Sequence, residues 1–468
     1  MTTQKAAITA SLLLLALFPA TSFARSNSVD TGISISYDYD DRQYDTISGA
    51  ATTDRDDDYQ TIAISPLIRF ISSSRKDRFE IQASPSIKYD LLDSETDWDN
   101  DLYLAAERSV NKSWRLIGSN SLIRNDYHDS LLSSDTDNSV SSSPELSDNY
   151  GRTRYWQNTL NLASEHTYGQ ESLVNFGFAY TLLRNDESDF QSYDDYDRYV
   201  GSVTNEHRFN QDWSTTTDLS VVRGDFETIA PSTLLTESDT VSDDLMEYHF
   251  LTTLENQYTR QTTLGLSYNY IGTKYDEDIR VDFDIHQLQL TWSRIFARQT
   301  TVTLGAGPSY EKSEGRDSNV GGNGIAEIEY QAQHGSVTFG VEKSYGVDNF
   351  SGTEERGFID YWDTHLLFDY QIMSNLTLDG QIRYRYEDRE QFTDDALGLS
   401  ETDLVNNFEE YNTEEFVTGL GLSYNFLQNY TASMQYTFTK QESEIVGDNY
   451  DDHRFLFTLS WEQNWLRW

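Results

Sequence analysis

The sequence predicts an all-β chain closed into one transmembrane, antiparallel, up-and-down β-barrel of about twenty strands, within a range of 18–22. Three observations predict it. Segments with every second residue apolar recur along the chain. Met434, Tyr436 and Phe438 alternate with Ser433, Gln435 and Thr437; Leu264, Leu266, Tyr268 and Tyr270 alternate with Thr263, Gly265, Ser267 and Asn269. Successive side chains of a strand point to opposite faces, so each segment has one greasy and one polar face. The connections alternate between very short turns and long acidic loops. The chain also opens on an export leader.

The leader covers residues 1–24, and the barrel residues 25–468. Lys5 supplies an early positive charge, Leu12-Leu13-Leu14-Leu15-Ala16-Leu17-Phe18 an apolar core, and Ser22-Phe23-Ala24 the small residues that favour cleavage after Ala24. That apolar run is too short to cross a bilayer as a helix.

Period-two alternation bounded by Asn, Gly, Asp and Ser clusters marks the strands in order. The first covers about 30–39, followed by 59–70 and 78–89. Ile62, Ile64, Pro66 and Ile68 face lipid on the second, and Phe79, Ile81, Ala83, Pro85 and Ile87 on the third. The two prolines are awkward there, because proline cannot donate to a ladder; each is expected at a kink or where a ladder bond is dispensable. Strands at 101–110 and 114–125 flank the turn Asn111-Lys112-Ser113. Those at 153–166 and 172–184 lead to 197–209 and 213–226, which flank Asn210-Gln211-Asp212. Next come 246–258 and 262–275 around Arg260-Gln261, then 282–296 and 300–311 around Ala297-Arg298-Gln299. Strands 324–333 and 336–345 flank His334-Gly335; 358–370 and 376–387 follow. The last are 415–426 and 430–440 around Gln428-Asn429, then 453–462. Gln463-Asn464 repeats the turn pattern and is expected to be a final turn, with 465–468 as a stub. Trp468 resembles the terminal aromatic that barrel-assembly machinery reads.

The long acidic connections, such as 40–58, 126–152, 227–245 and 388–413, are expected outside the cell, and the short turns and both termini in the periplasm. The mature N-terminus enters the first strand within a few residues, so no N-terminal plug is expected.

The lumen register is polar and mixed in sign. It holds Arg69, Lys88, Glu327 and Glu329, and one inner stripe of Asp379, Gln381, Arg383, Arg385 and Glu387, with Ile382, Tyr384 and Tyr386 facing out. Two lumen arginines in succession suit anionic groups such as sugar carboxylates or sulfates. The alternative is that they pair with acids on neighbouring strands and brace a wide barrel, and this alternative is preferred because lumen carboxylates outnumber lumen bases.

Composition narrows the function. Lys and Arg number 34 against 78 Asp and Glu, a formal charge of -44, which excludes nucleic acid as a partner. The absence of cysteine excludes disulfides, thiolate metal sites and covalent haem. A mean hydropathy of -0.64 does not argue against a membrane, because half of each strand faces a polar lumen. Aromatics at 13%, with 31 Tyr, suit the membrane–water boundary. Asp54, Asp56 and Asp58 have a calcium-loop start, but Tyr59 and Ser65 stand where that loop needs Gly and Glu. No cofactor is expected; the acidic runs at 93–101 and 448–452 offer at most loose sites for divalent cations such as calcium. There is no G-x-S-x-G, no H-E-x-x-H and no phosphate loop, so no enzyme is expected.

The early strand leading into Ser36-Tyr37-Asp38-Tyr39-Asp40-Asp41, strands of the Ile62–Phe70 type and hairpins such as Phe209-Asn210-Gln211-Asp212-Trp213 resemble an outer-membrane β-barrel porin family found beside exopolysaccharide export systems. That resemblance implies passage of a polar polymer. A looser likeness, to barrels that sheathe multihaem cytochromes, implies a structural sheath around a partner. Expected partners are outer-membrane lipid and lipopolysaccharide, the barrel-assembly machinery, and polysaccharide or export components.

Overall fold

The computed structural model describes residues 25–44, 56–126, 154–169, 171–186, 195–227, 244–276, 282–313, 318–350, 357–392, 408–444 and 449–467. Residues 1–24, where a leader is expected, therefore lie outside the described residues, as do Trp468 and most of the four long loops named above. The strands are β1 Ser26–Tyr44, β2 Asp56–Ser73, β3 Asp77–Asp90, β4 Thr96–Ser109 and β5 Trp114–Asp126. Next are β6 Arg154–Tyr168, β7 Ser172–Asp186, β8 Asp195–Arg208, β9 Trp213–Glu227 and β10 Leu245–Thr259. Then come β11 Thr262–Tyr275, β12 Phe283–Phe296, β13 Thr300–Ser313, β14 Asn319–Ala332 and β15 Gly335–Asp348. The last are β16 Gly357–Met373, β17 Leu376–Phe392, β18 Phe408–Phe426, β19 Tyr430–Ser443 and β20 Tyr450–Arg467.

Each strand pairs antiparallel with its sequence neighbours, and β1 pairs with β20, so the sheet is a closed barrel of 20 strands. A strand spacing of about 4.8 Å and a tilt of about 40° make such a barrel roughly 40 Å across. Closure satisfies the backbone where no water can.

The outward face is greasy. Ile64, Ile68, Ile87, Leu266, Leu290, Ile382, Met434 and Phe457 are exposed mid-strand, as a lipid face requires. At the short-turn end, rings gird the barrel: Trp114 stacks on His166 at 4.3 Å, and His207 meets Phe209 at 4.6 Å. At the long-loop end, exposed Tyr89, Trp98, Tyr199, Trp362, Tyr384 and Tyr436 form the other belt. Two asparagines intrude on the outward register. Asn120 and Asn158 are nevertheless buried, and each donates its amide to the other's oxygen at 3.3 Å and to a backbone carbonyl.

The repeated turn pattern has a local cause. Asn111 Oδ1 accepts from the amides of Ser113 and Trp114 at 2.8 and 3.0 Å, and Asn210 does the same for Asp212 and Trp213. In the tight turns after β12 and β18, Ala297, Arg298, Leu427 and Gln428 take up positive φ.

The prolines of β2 and β3 stand directly opposite each other. The β2–β3 ladder runs to Ile64↔Ile87, omits three rungs, and resumes in the same register at Ile68↔Ala83. The missing donors thus share one rung, while Pro66 keeps its place beside β1 and Pro85 beside β4. Ser65 and Ser86 join hydroxyls across the gap at 2.8 Å. A similar gap lies at Pro308 in the β12–β13 ladder. There the Asn323 amide donates to the Leu288 and Pro308 carbonyls, and Gly307 leaves space where a Cβ would fall 1.7 Å from the Leu288 oxygen.

Two expectations are corrected. Gln463-Asn464 is not a turn: β20 continues to Arg467 against β1, with a bulge between Asn464↔Asp30 and Leu466↔Val29. Closing the barrel rewards pairing those last residues, and the bulge absorbs the break in alternation. The 93–101 run is not simply an acidic loop, because Thr96–Asp101 lies in β4. Asp97 holds Arg124 at 3.2 Å and Asp99 holds Lys88, so these acids are spent on bases.

Met434→Arg is expected to lower folding stability in lipid vesicles by about 2–4 kcal/mol, and Gln435→Arg, one residue on and facing the lumen, by less than about 1 kcal/mol. Urea titration of the two variants checks the assignment of faces; equal costs would refute it.

Candidate functional site

The lumen carries the chemistry, and its bases are engaged. Arg383 Nε lies 2.5 Å from Asp363 Oδ2, and the other oxygen of Asp363 meets His365 Nδ1 at 2.9 Å. Arg385 pairs with Glu387 and lies 4.9 Å over the Tyr361 ring. Glu387 also takes Arg389 at 2.6 Å, and the Tyr361 hydroxyl donates to Glu342 at 3.2 Å. The β17 stripe is therefore laced to β15 and β16, the geometry of the bracing alternative. Lower on the same stripe, Asp379 faces Asp369 directly across the ladder, with Gln381 facing Leu367. Ser336 donates to Asp369, and the Gln331 amide donates to Glu329 at 2.5 Å. Glu327 stands opposite Gly340, on the line of rungs that continues through His365 to Arg383.

A second group of bases stitches the closing joint. Arg69 of β2 reaches Asp30 of β1 at 3.1 Å and Glu462 of β20 at 2.6 Å. Arg454 holds Asp38 through two hydrogen bonds of 3.0 and 2.8 Å, and Arg42 holds Asp452 at 3.1 Å. Lys88 sits between Asp99 and Asn125 on the neighbouring wall.

At the long-loop end the lumen is crossed by its own wall. β15 pairs with β14 only up to Gly324↔Lys343, although β15 and β16 stay paired to Asp348↔Gly357. The end of this hairpin lies as an inner layer across β14 to β8. Tyr345 and Phe358 pack on Phe283 and Ile285 of β12, and Ser344 accepts from Gln287 at 3.1 Å. Farther round, Asn349 accepts from the Tyr275 hydroxyl of β11 at 2.7 Å and donates to Glu247 of β10 at 2.6 Å. Phe350 joins Tyr196 and Phe226 in a ring cluster with Leu183 and Leu245, under the Arg198 guanidinium at 4.5 Å. The result is an apolar constriction at the rim of a polar lumen.

Sequence reasoning missed Asn349, Phe350 and Glu247. The available signal was doubling of apolar residues near strand ends, as in Leu182-Leu183, Val221-Val222 and Leu245-Met246, which places greasy side chains on the lumen register as well.

No family model and no curated protein sequence matches the chain. Its fold is similar to the siderophore receptor PirA from Pseudomonas aeruginosa, with a TM-score of 0.50 and 9% identity over 93% of this chain and 80% of that one. It is also similar to OpdK of Pseudomonas aeruginosa, solved with vanillate, at a TM-score of 0.42 and 14% identity over 93% and 99% of the two chains. A BenF-like porin from Pseudomonas fluorescens Pf-5 gives 0.45 and 11% over 93% and 99%. At such identities the likeness is one of fold.

Glu387→Gln leaves Arg385 and Arg389 without their shared carboxylate. It is expected to cost on the order of 2 kcal/mol in urea unfolding. Glu329→Gln, in contact with an amide, is expected to cost less than about 0.5 kcal/mol. Equal midpoints for the two variants would overturn the bracing role of the stripe.

Proposed function

We propose that this chain is a passive channel of the bacterial outer membrane for small polar solutes, with a preference for cations. One observation carries the reading. Arg69, Lys88, Arg383, Arg385, Arg389 and Arg454 of the lumen are tied to carboxylates, with Arg198 lying over the Phe350 ring, whereas Asp369, Asp379, Glu327 and Glu329 are left to set the sign of the field toward the short-turn end. A barrel of this strand count encloses more space than its wall side chains fill. The greasy belt places it in a bilayer, and the closed ladder and even strand count suit an outer membrane. The long loops then face outside.

Passage of an exopolysaccharide, the cargo implied by the porin resemblance, is the rival reading. A hairpin lying across the long-loop end favours solutes smaller than a polymer, and it also leaves less room for a cytochrome inside.

Planar-bilayer recording tests the proposal. The channel is expected to conduct and to favour potassium over chloride. Glu327→Gln, Glu329→Gln and Asp379→Asn combined are expected to move the reversal potential toward zero while leaving the folded barrel intact. Anion selectivity, or silence even after removal of residues 345–358, would refute it. Loss of surface polysaccharide on gene deletion, without loss of small-solute uptake, would favour the rival.

A further inference from the structure

One register runs the full length of β14 and β15, but only part of it is used. The pairs run from Ala332↔Gly335 to Gly324↔Lys343. Beyond them β14 continues to Asn319 against β13, and β15 continues to Asp348 against β16. The unused lengths match. Carried on in the same register, Asn323 would face Ser344, Gly322 would face Tyr345 and Asn319 would face Asp348, with no residue left over at either strand's end.

We propose that the end of the β15–β16 hairpin is a gate with two ladder positions, an inference that rests on the channel reading above. In the closed position, which the structure shows, the hairpin lies inside the lumen. Asn349 and Phe350, which follow β15, latch it: Asn349 to Glu247 and Tyr275, and Phe350 in the Tyr196–Phe226 cluster. In the open position β15 zips up along β14 and the hairpin rejoins the wall.

Three features fit both positions. The hairpin keeps its own rungs from Ser344↔Tyr361 to Asp348↔Gly357, and its β16 arm stays paired with β17 as far as Ile359↔Arg389, so the β15 edge swings on that ladder without breaking it. Glycines make its interior seats: a Cβ at Gly321 would fall 2.0 Å from the Tyr345 hydroxyl, and one at Gly224 would fall 3.0 Å from the Phe350 ring. On the wall, Tyr345 and Val347 share the alternation of outward Val337 and Phe339. Zipping therefore turns them from the lumen to the outer face, level with Tyr310 and Trp362 of the aromatic belt. Each position offers these side chains an apolar place, which a two-state element requires.

The chain has no cysteine, so introduced thiols report cleanly. Glu247→Cys with Asn349→Cys should cross-link the closed position, and Gly322→Cys with Tyr345→Cys the open one. Both pairs are expected to oxidise in native outer membranes. The closed lock should cut single-channel conductance at least twofold and the open lock should raise it, each reversed by reductant. Asn349→Ala and Phe350→Ala, which need no cross-link, should lengthen open times severalfold. Failure of the Gly322/Tyr345 pair to oxidise while the Glu247/Asn349 pair does would overturn the gate without reference to conduction. So would unchanged conductance in both oxidised locks of a conducting barrel. Silence of every variant, including one lacking residues 345–358, would instead sink the channel reading, and the gate with it.

Discussion

The closed backbone ladder is the constraint on which the rest of this molecule depends. In hydrocarbon, a peptide group that loses its partner finds no water, and each such loss costs several kcal/mol. The irregularities of the wall are intelligible as ways of meeting that demand. Two prolines on adjacent strands share one rung, so a single local gap absorbs both missing donors, and a pair of lumen serines bridges it. Where Pro308 fails to donate to the Leu288 carbonyl, the amide of Asn323 does so from the next strand. At the joint between the first and last strands, a bulge beside Trp465 allows pairing to continue to Arg467.

The charge pattern follows from the closed wall. With lipid outside, a charge on the spanning part of a strand has one affordable direction, inward, and there it meets charges from neighbouring strands at short range. Arginine suits this setting, because its fork engages two acids at once. Arg69 spans three strands in that way at the closing joint, where sequence-distant β1 and β20 have no hairpin turn to hold them together. Arg385 and Arg389 share Glu387 at the other side of the lumen. Bases are scarce in so acidic a chain, 34 against 78 acids, and such pairing engages Arg69, Arg385 and Arg389 among those of the lumen.

The number of strands, their order and the assignment of faces were legible in the sequence, because alternation against lipid is a strong, repeated signal. Strand ends were less legible. Alternation of apolar residues reports only the part of a strand that touches hydrocarbon, while the ladder continues into water where both faces are polar. Thr96–Asp101 of β4 and residues 450–452 of β20 are such extensions, and their acids resemble loop acids until their partners are known. The lumen stripe of β17 was legible as a row of residues, but its partners were not: Asp363 and Glu342 lie on separate strands and meet it only through register.

The constriction was illegible for a more instructive reason. The alternation of Tyr345 and Val347 is the same whether the hairpin stands in the wall or lies inside it, so the pattern on β15 cannot distinguish the two. The distinction resides in β14, where Gly321, Gly322 and Gly324 give an edge with little side-chain surface to hold a neighbour. It resides also in the facing wall, where Leu183, Phe226, Leu245 and Ile285 turn apolar surface toward the lumen. A weak edge alone would leave the hairpin in place, and a greasy inner patch alone would leave that patch wet. Together they account for why the segment leaves β14 and packs on the facing wall, and neither feature does so without the other.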